Sequence, residues 1–148
     1  MKLINRLAAA AALTALACTS VTAFADDHGY TEGAVVNVAR IRTVDGKFDD
    51  YMKWIGTKWK AQQEAAKKAG YLVSYEVLTV EPRTPDDPDL LLITRYKNWA
   101  ALDGALDKAD AVTKATGSTV AESNKMQVER SAIRRVLGSS TMQVLDLK

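Results

Sequence analysis

Cysteine is almost missing from this 148-residue chain, where Cys18 stands alone. One cysteine cannot close an internal disulfide or build a thiolate metal site. Histidine is just as scarce, with His28 alone. Both stand in the first 28 residues, ahead of every predicted element of the domain, so Ser–His–Asp and Cys–His catalysis are excluded, and zinc, copper or iron sites built on nitrogen and sulfur are disfavoured. The three prolines, Pro82, Pro85 and Pro88, fall in a single stretch, so no other segment is interrupted by a missing donor. Aromatic residues make up 7%. The longest apolar run, Leu7 to Ala17 broken by Thr14, is too short to cross a bilayer as an ordinary helix.

What the first residues do carry is an export pattern. Lys2 and Arg6 precede the apolar run, and small residues lead to Ala23-Phe24-Ala25 before Asp26-Asp27. A basic start, a short apolar core and a small-x-small site predict a signal over residues 1–25, cleaved after Ala25. Export to the periplasm or the medium follows. Ala15-Leu16-Ala17-Cys18 also resembles a lipoprotein cleavage box, in which Cys18 would be lipidated and tie the protein to a membrane. Its leucine, however, sits one place late. Removing Lys2 and Arg6 from the 20 basic residues leaves them equal to the 18 acidic ones. The mature chain is then neutral, with no electrostatic case for nucleic acid.

Residues 26–33 read as a polar, mobile leader, and 34–148 as one domain. The β-branched run of 34–43 predicts a strand, and Asp45-Gly46 a turn. Over 47–69, Phe48, Tyr51, Met52, Ile55, Trp59, Gln62 and Ala66 recur at helical spacing along one stripe, and Gly70 supplies a stop. Residues 71–80 and 90–96 predict two further strands around the proline loop. Asn98 caps a second predicted helix from Trp99 to about Ala115. Thr119 and Glu122 have capping-box spacing and open a third, to about Leu137, closed by Gly138. Residues 142–147 alternate weakly as a fourth strand. The order β-α-β-β-α-(α)-β predicts an α+β, ferredoxin-like domain, a four-stranded antiparallel sheet with helices on one face.

Both parities of these strands are apolar. Val35, Ala39, Ile41, Val73, Val77, Leu91 and Ile93 are assigned to one side, and Val36, Val38, Leu72, Leu78, Leu90 and Leu92 to the other. A sheet with one wet face should alternate instead. A second copy of the same sheet is the expected cover, with the third helix as the other option.

On these elements, and on Leu92-Ile93-Thr94-Arg95-Tyr96-Lys97-Asn98-Trp99-Ala100-Ala101-Leu102, the chain resembles the dimeric α/β-barrel superfamily over about Ala34 to Leu147. That ferredoxin-like group includes antibiotic-biosynthesis-type monooxygenases and stress-responsive barrel proteins. The resemblance implies a homodimer paired through sheet faces, with a small organic ligand or haem between sheet and helices. It carries no catalytic residue across. Haem-binding members use an axial histidine, but His28 lies in the leader, so no cofactor is expected. Asp86, Asp87 and Asp89 do not match a calcium loop, and no metal is expected there either.

The candidate ligand-binding residues are Asn37, Arg40, Trp54, Trp59, Tyr75, Glu76, Arg95 and Tyr96. Trp54 lies off the apolar stripe of its helix, as a half-buried aromatic or as a wall of a cavity or subunit contact. Arg40, Glu76, Thr94 and Tyr96 are assigned to one sheet face, with an Arg40–Glu76 cross-strand ion pair or a polar cluster in an apolar pocket as the two readings. Asn37 and Arg95 are assigned to the other. The leading expectation is an exported dimeric barrel that binds a small apolar or aromatic molecule. The enzymatic alternative is a cofactor-independent monooxygenase or isomerase acting on an aromatic or quinone-like substrate. It would use a polar group such as Asn37, Tyr75, Arg95 or Trp54. A third reading is an interaction protein anchored through Cys18.

Overall fold

A computed structural model describes residues 28–148. The export signal, the cleavage after Ala25 and Cys18 lie outside the described residues. No helix among the described residues is long and apolar enough to cross a membrane.

The chain runs β1 (Tyr30–Thr43), α1 (Phe48–Trp54), a π-helical turn (Ile55–Trp59), α2 (Lys60–Lys68), β2 (Ser74–Thr79) and β3 (Leu90–Tyr96). A 3₁₀ turn (Trp99–Leu102), α3 (Ala105–Ala115), α4 (Val120–Arg130) and β4 (Arg134–Leu147) follow. The sheet order is β2-β3-β1-β4, and every neighbouring pair is antiparallel. This is the α+β order and the four-stranded sheet expected from the sequence.

Several boundaries differ: β2 spans Ser74–Thr79 rather than 71–80, and in β1 and β4 a partner strand outweighs local preference. The strand β1 begins at Tyr30 rather than 34, since Tyr30, Thr31 and Glu32 pair with Leu147, Asp146 and Leu145. Gly33 accommodates the register shift that follows. A Cβ there would lie 2.7 Å from Asp146 Oδ2 and 3.2 Å from the Val144 carbonyl, so a larger residue would have to push the Asp146 side chain aside and shift β4 by a few tenths of an ångström. The third helix ends at Arg130 rather than Leu137, and Arg134 to Leu137 join β4 against Thr43, Arg42 and Ile41. The helix preference of Arg and Leu is only tenths of a kcal/mol, which a full ladder of strand bonds to β1 exceeds. Gly138 is therefore not a helix stop. It lies within β4 at φ +134°, beside a register shift in which Arg40 meets Gly138 and Ile41 meets Val136. The second predicted helix is split. Asn98 does cap the 3₁₀ turn, accepting from the Ala101 amide at 3.1 Å, but Gly104 at φ +65° separates that turn from α3.

The register also corrects the side assignments. Leu90 and Leu92 lie opposite Ile41 and Ala39, so they share the face of Val35; Leu91 and Ile93 lie opposite Arg40 and Val38. Alternation along a strand fixes which residues go together, but not which neighbouring parity they meet. On the helix-covered face, Tyr51, Ile55 and Trp59 pack on Ile41, Leu90 and Leu92 to form the core. Their four-residue spacing would drift around an α-helix. The wider π turn, in which the Lys60 amide reaches the Ile55 carbonyl, brings Trp59 back under Ile55.

The opposite face has no helix over it. Val36, Val38, Leu91 and Ile93 are only half-buried there, Leu78 is 44% exposed and Met142 48%.

Candidate functional site

Past Trp59 the helix-covered face changes character. Here α2, α3 and α4 stand apart enough to leave a groove in two lobes that share Gln62. The larger lobe holds about 350 Å³ between α2, the Tyr71-Leu72 segment, Tyr96 and α3. Small side chains make the space: Ala66, Ala101, Ala105 and Ala109 line it with Leu102 and Val112. Its rim is fixed by Lys108, whose Nζ donates to the Ala101 carbonyl at 2.8 Å and lies 5.7 Å above the Tyr71 ring. Its polar groups include Tyr96, whose hydroxyl accepts from Thr94 Oγ1 at 3.3 Å. A mostly apolar concavity with a few fixed polar groups suits a small organic molecule.

The smaller lobe, about 210 Å³, is bounded by Trp54, Lys58 and Ala61 on one side and by Ser118, Met126 and Arg130 on the other. Trp54 stacks on Tyr51 with ring centres 5.6 Å apart, and the Arg130 guanidinium lies 4.2 Å from the Trp54 ring centre. Arg134 lies 5.7 Å from the Tyr51 ring centre. Trp54 Nε1, Arg130 Nε and Arg134 Nε are shielded from solvent and have no hydrogen-bond partner among the described residues. Burial, and after it the neighbouring Arg134 charge, weakens the hold of Arg130 on its proton; Tyr51 opposes this. Burial in turn pushes the Tyr51 hydroxyl above the usual tyrosine value, against the pull of Arg134 and Arg130.

The sequence candidates divide among three places. Tyr96 lines the larger lobe and Trp54 the smaller. Trp59 and Tyr75 meet edge to face in the core region, centres 5.3 Å apart at 89°. The Tyr75 hydroxyl donates to the Glu64 carboxylate, which raises its pKa above the ordinary tyrosine value. Asn37 is on the helix-covered face and donates to Thr141 Oγ1 across β1 and β4 at 2.9 Å. Arg40, Glu76 and Arg95 are on the open face. Their registry partners are Leu91, Ile93 and Val36.

Two assignments are thereby corrected. Thr94 and Tyr96 lie opposite Asn37 and Val35, away from Arg40 and Glu76, whereas Arg95 is on the open face and not beneath the helices. An Arg40–Glu76 cross-strand pair does not form, because β3 runs between β1 and β2. The acidic loop is occupied by structural bonds. Asp89 accepts from the Thr43 amide at 3.1 Å and from its hydroxyl, Asp87 accepts from the Arg83 and Thr84 amides, and Asp86 pairs with Arg135.

Arg130, Gln62 and Lys108 were not legible as site residues. Arg130 reads as one basic residue in a longer helix, and only the turn that ends α4 brings it over Trp54. The clue available in the sequence is Met126 and Arg130, four apart on one helix face.

No known protein family matches the chain, and no curated protein matches it. Among solved structures, the crystal structure of HapK from Hahella chejuensis is similar at 14% identity. It has a TM-score of 0.45, over 73% of this chain and 90% of that one.

Proposed function

We propose that this protein is exported, pairs with a second copy through the open sheet face, and holds a small apolar or aromatic molecule between sheet and helices. The observation that carries the ligand reading is the larger lobe. It is about 350 Å³ of mostly apolar space, lined by alanines where close-packed interiors place larger side chains. Members of the superfamily resembled in the sequence often hold a small organic ligand or haem between sheet and helices. Tyr96, Gln62 and Gln63 provide polar groups that could orient a bound molecule.

Pairing rests on the other side of the sheet. Val36, Val38, Leu91, Ile93, Leu78 and Met142 form an apolar surface of a kind monomers seldom expose. Arg40 and Glu76 flank it diagonally, without a partner at hydrogen-bond distance among the described residues. A two-fold axis lying between them brings Arg40 of each copy over Glu76 of the other, the self-complementary arrangement of an isologous dimer.

Thermal unfolding of the purified protein against a panel of apolar and aromatic compounds tests the ligand reading. A saturable rise in Tm for at least one compound supports it, since a ligand at about 100 times its Kd adds ~2.7 kcal/mol. No rise with any of them counts against it. Intact mass tests export, because cleavage after Ala25 and lipidation at Cys18 leave different products.

A further inference from the structure

Three features of the smaller lobe bear on what it would hold. The first is its charge. Lys58 and Arg130 line it, and its lining contains no Asp or Glu. The second is the state of Arg130. Its guanidinium carbon lies 4.2 Å from the Trp54 ring centre, but Nε is cut off from water with no acceptor among the described residues, and Trp54 Nε1 is in the same condition. Buried donors in folded proteins are nearly always paired, and an unmet donor beside a charge is the most costly kind. Arg134 stands near, so the local positive field is reinforced rather than cancelled. The third is continuity. Gln62 lines both lobes, so the cationic lobe opens beside the apolar one along the same side of α2.

The alternative cation for a ligand head is Lys108, at the far end of the larger lobe. Its ammonium already donates to the Ala101 carbonyl and rests over the Tyr71 ring. Arg130 likewise rests over an aromatic ring, that of Trp54, but its Nε has no acceptor among the described residues.

Building on the ligand reading above, we infer that the bound molecule is an amphipathic organic anion. Its apolar body lies in the larger lobe, and its carboxylate or similar oxyanion lies under Arg130 and Lys58 in the smaller. Arginine suits this role because its planar fork meets two oxygens of a carboxylate together. Ser118, on the same wall, offers a hydroxyl to the same head group. The anion relieves the uncompensated charge, so ligand binding also stabilises α4 against α1.

A matched pair of probes separates this inference from the reading it rests on. Titration calorimetry with 2-naphthoate and with the neutral 2-naphthalenemethanol, at low salt, measures the head group's contribution directly. Both compounds are expected to bind, the acid at least about tenfold more tightly, the least that one charge-assisted hydrogen bond contributes. Arg130→Gln is expected to bring the two affinities together while leaving the alcohol's unchanged, and Arg130→Lys to keep part of the preference. Should Arg130→Gln fail to fold, Lys58→Gln, on an exposed residue, is expected to narrow the gap several-fold. Equal affinity for acid and alcohol in the unaltered protein overturns the anion site and leaves an apolar groove. Binding of neither overturns both.

Discussion

At the scale of single residues, the fold is held at one end of the sheet by a polar contact that composition conceals. The Thr43 amide and hydroxyl both donate to Asp89, and Thr43 is buried. Asp89→Ala removes the acceptor and leaves a buried hydroxyl unpaired, so urea unfolding should show a loss of about 1–3 kcal/mol. Asp86→Ala, whose only described partner is a 3.4 Å contact with exposed Arg135, should change little. In the sequence these aspartates are equivalent members of one acidic loop. Which of them is structural depends on the approach of β1, and that is not encoded locally.

The same loop gives a pH dependence. Backbone amides of Thr84 and then Arg83 hold the Asp87 carboxyl below its usual pKa, and the Thr119 amide and hydroxyl do so for Glu122. Each ionised form is favoured by folding, so the support is complete above the unfolded values of about 4. It is lost as the pH falls through the lower folded ones. Tyr75 has the opposite sign, because Glu64 favours its neutral form. Its support is present below about pH 10 and is lost as the pH rises through the raised folded value. Tm measured from pH 6 to pH 2 should fall, and fall less in the Asp87→Asn, Glu122→Gln double variant.

At the scale of elements, the signals with a local mechanism were readable in the sequence. The capping box predicted at Thr119 and Glu122 is complete: the Glu122 amide donates to Thr119 Oγ1 at 3.2 Å, and the Thr119 amide donates to Glu122 Oε2 at 2.8 Å. Thr119→Ala should cost about 1 kcal/mol in chemical denaturation, with α4 losing helical signal first. What escaped the sequence were features imposed by neighbours. The π turn at Ile55–Trp59 is demanded by packing on Leu90 and Leu92, and the first half of β4 by pairing with β1. A strand that begins Arg134-Arg135-Val136-Leu137 carries no period-2 contrast to distinguish it from the end of a helix. Ile55→Ala, at the centre of the core, should cost ~2–5 kcal/mol and remove the support of the π turn.

At the scale of the molecule, the sequence showed that both strand parities are apolar, and this was the most informative single pattern. It could not show which parity meets the helices, since that is set by the pairing of β3 with β1. The error in the side of Leu90 and Leu92 moved Arg95, Thr94 and Tyr96 with it. The groove was invisible for a related reason. Gln62, Lys108 and Arg130 come from three different helices, and no spacing within one of them signals a shared cavity.

The physical claim beneath the whole reading is that one sheet has helices on one side and needs a second sheet on the other. Ile93→Lys, at the middle of the open face and opposite Val38, should separate the copies while leaving the fold intact, because that side chain takes no part in the core. Sedimentation velocity of the unaltered protein at micromolar concentration is the decisive measurement. A species of twice the chain mass, reduced to a single chain by Ile93→Lys, is the expected result. A lone, well-folded protomer of unaltered sequence at that concentration would contradict it.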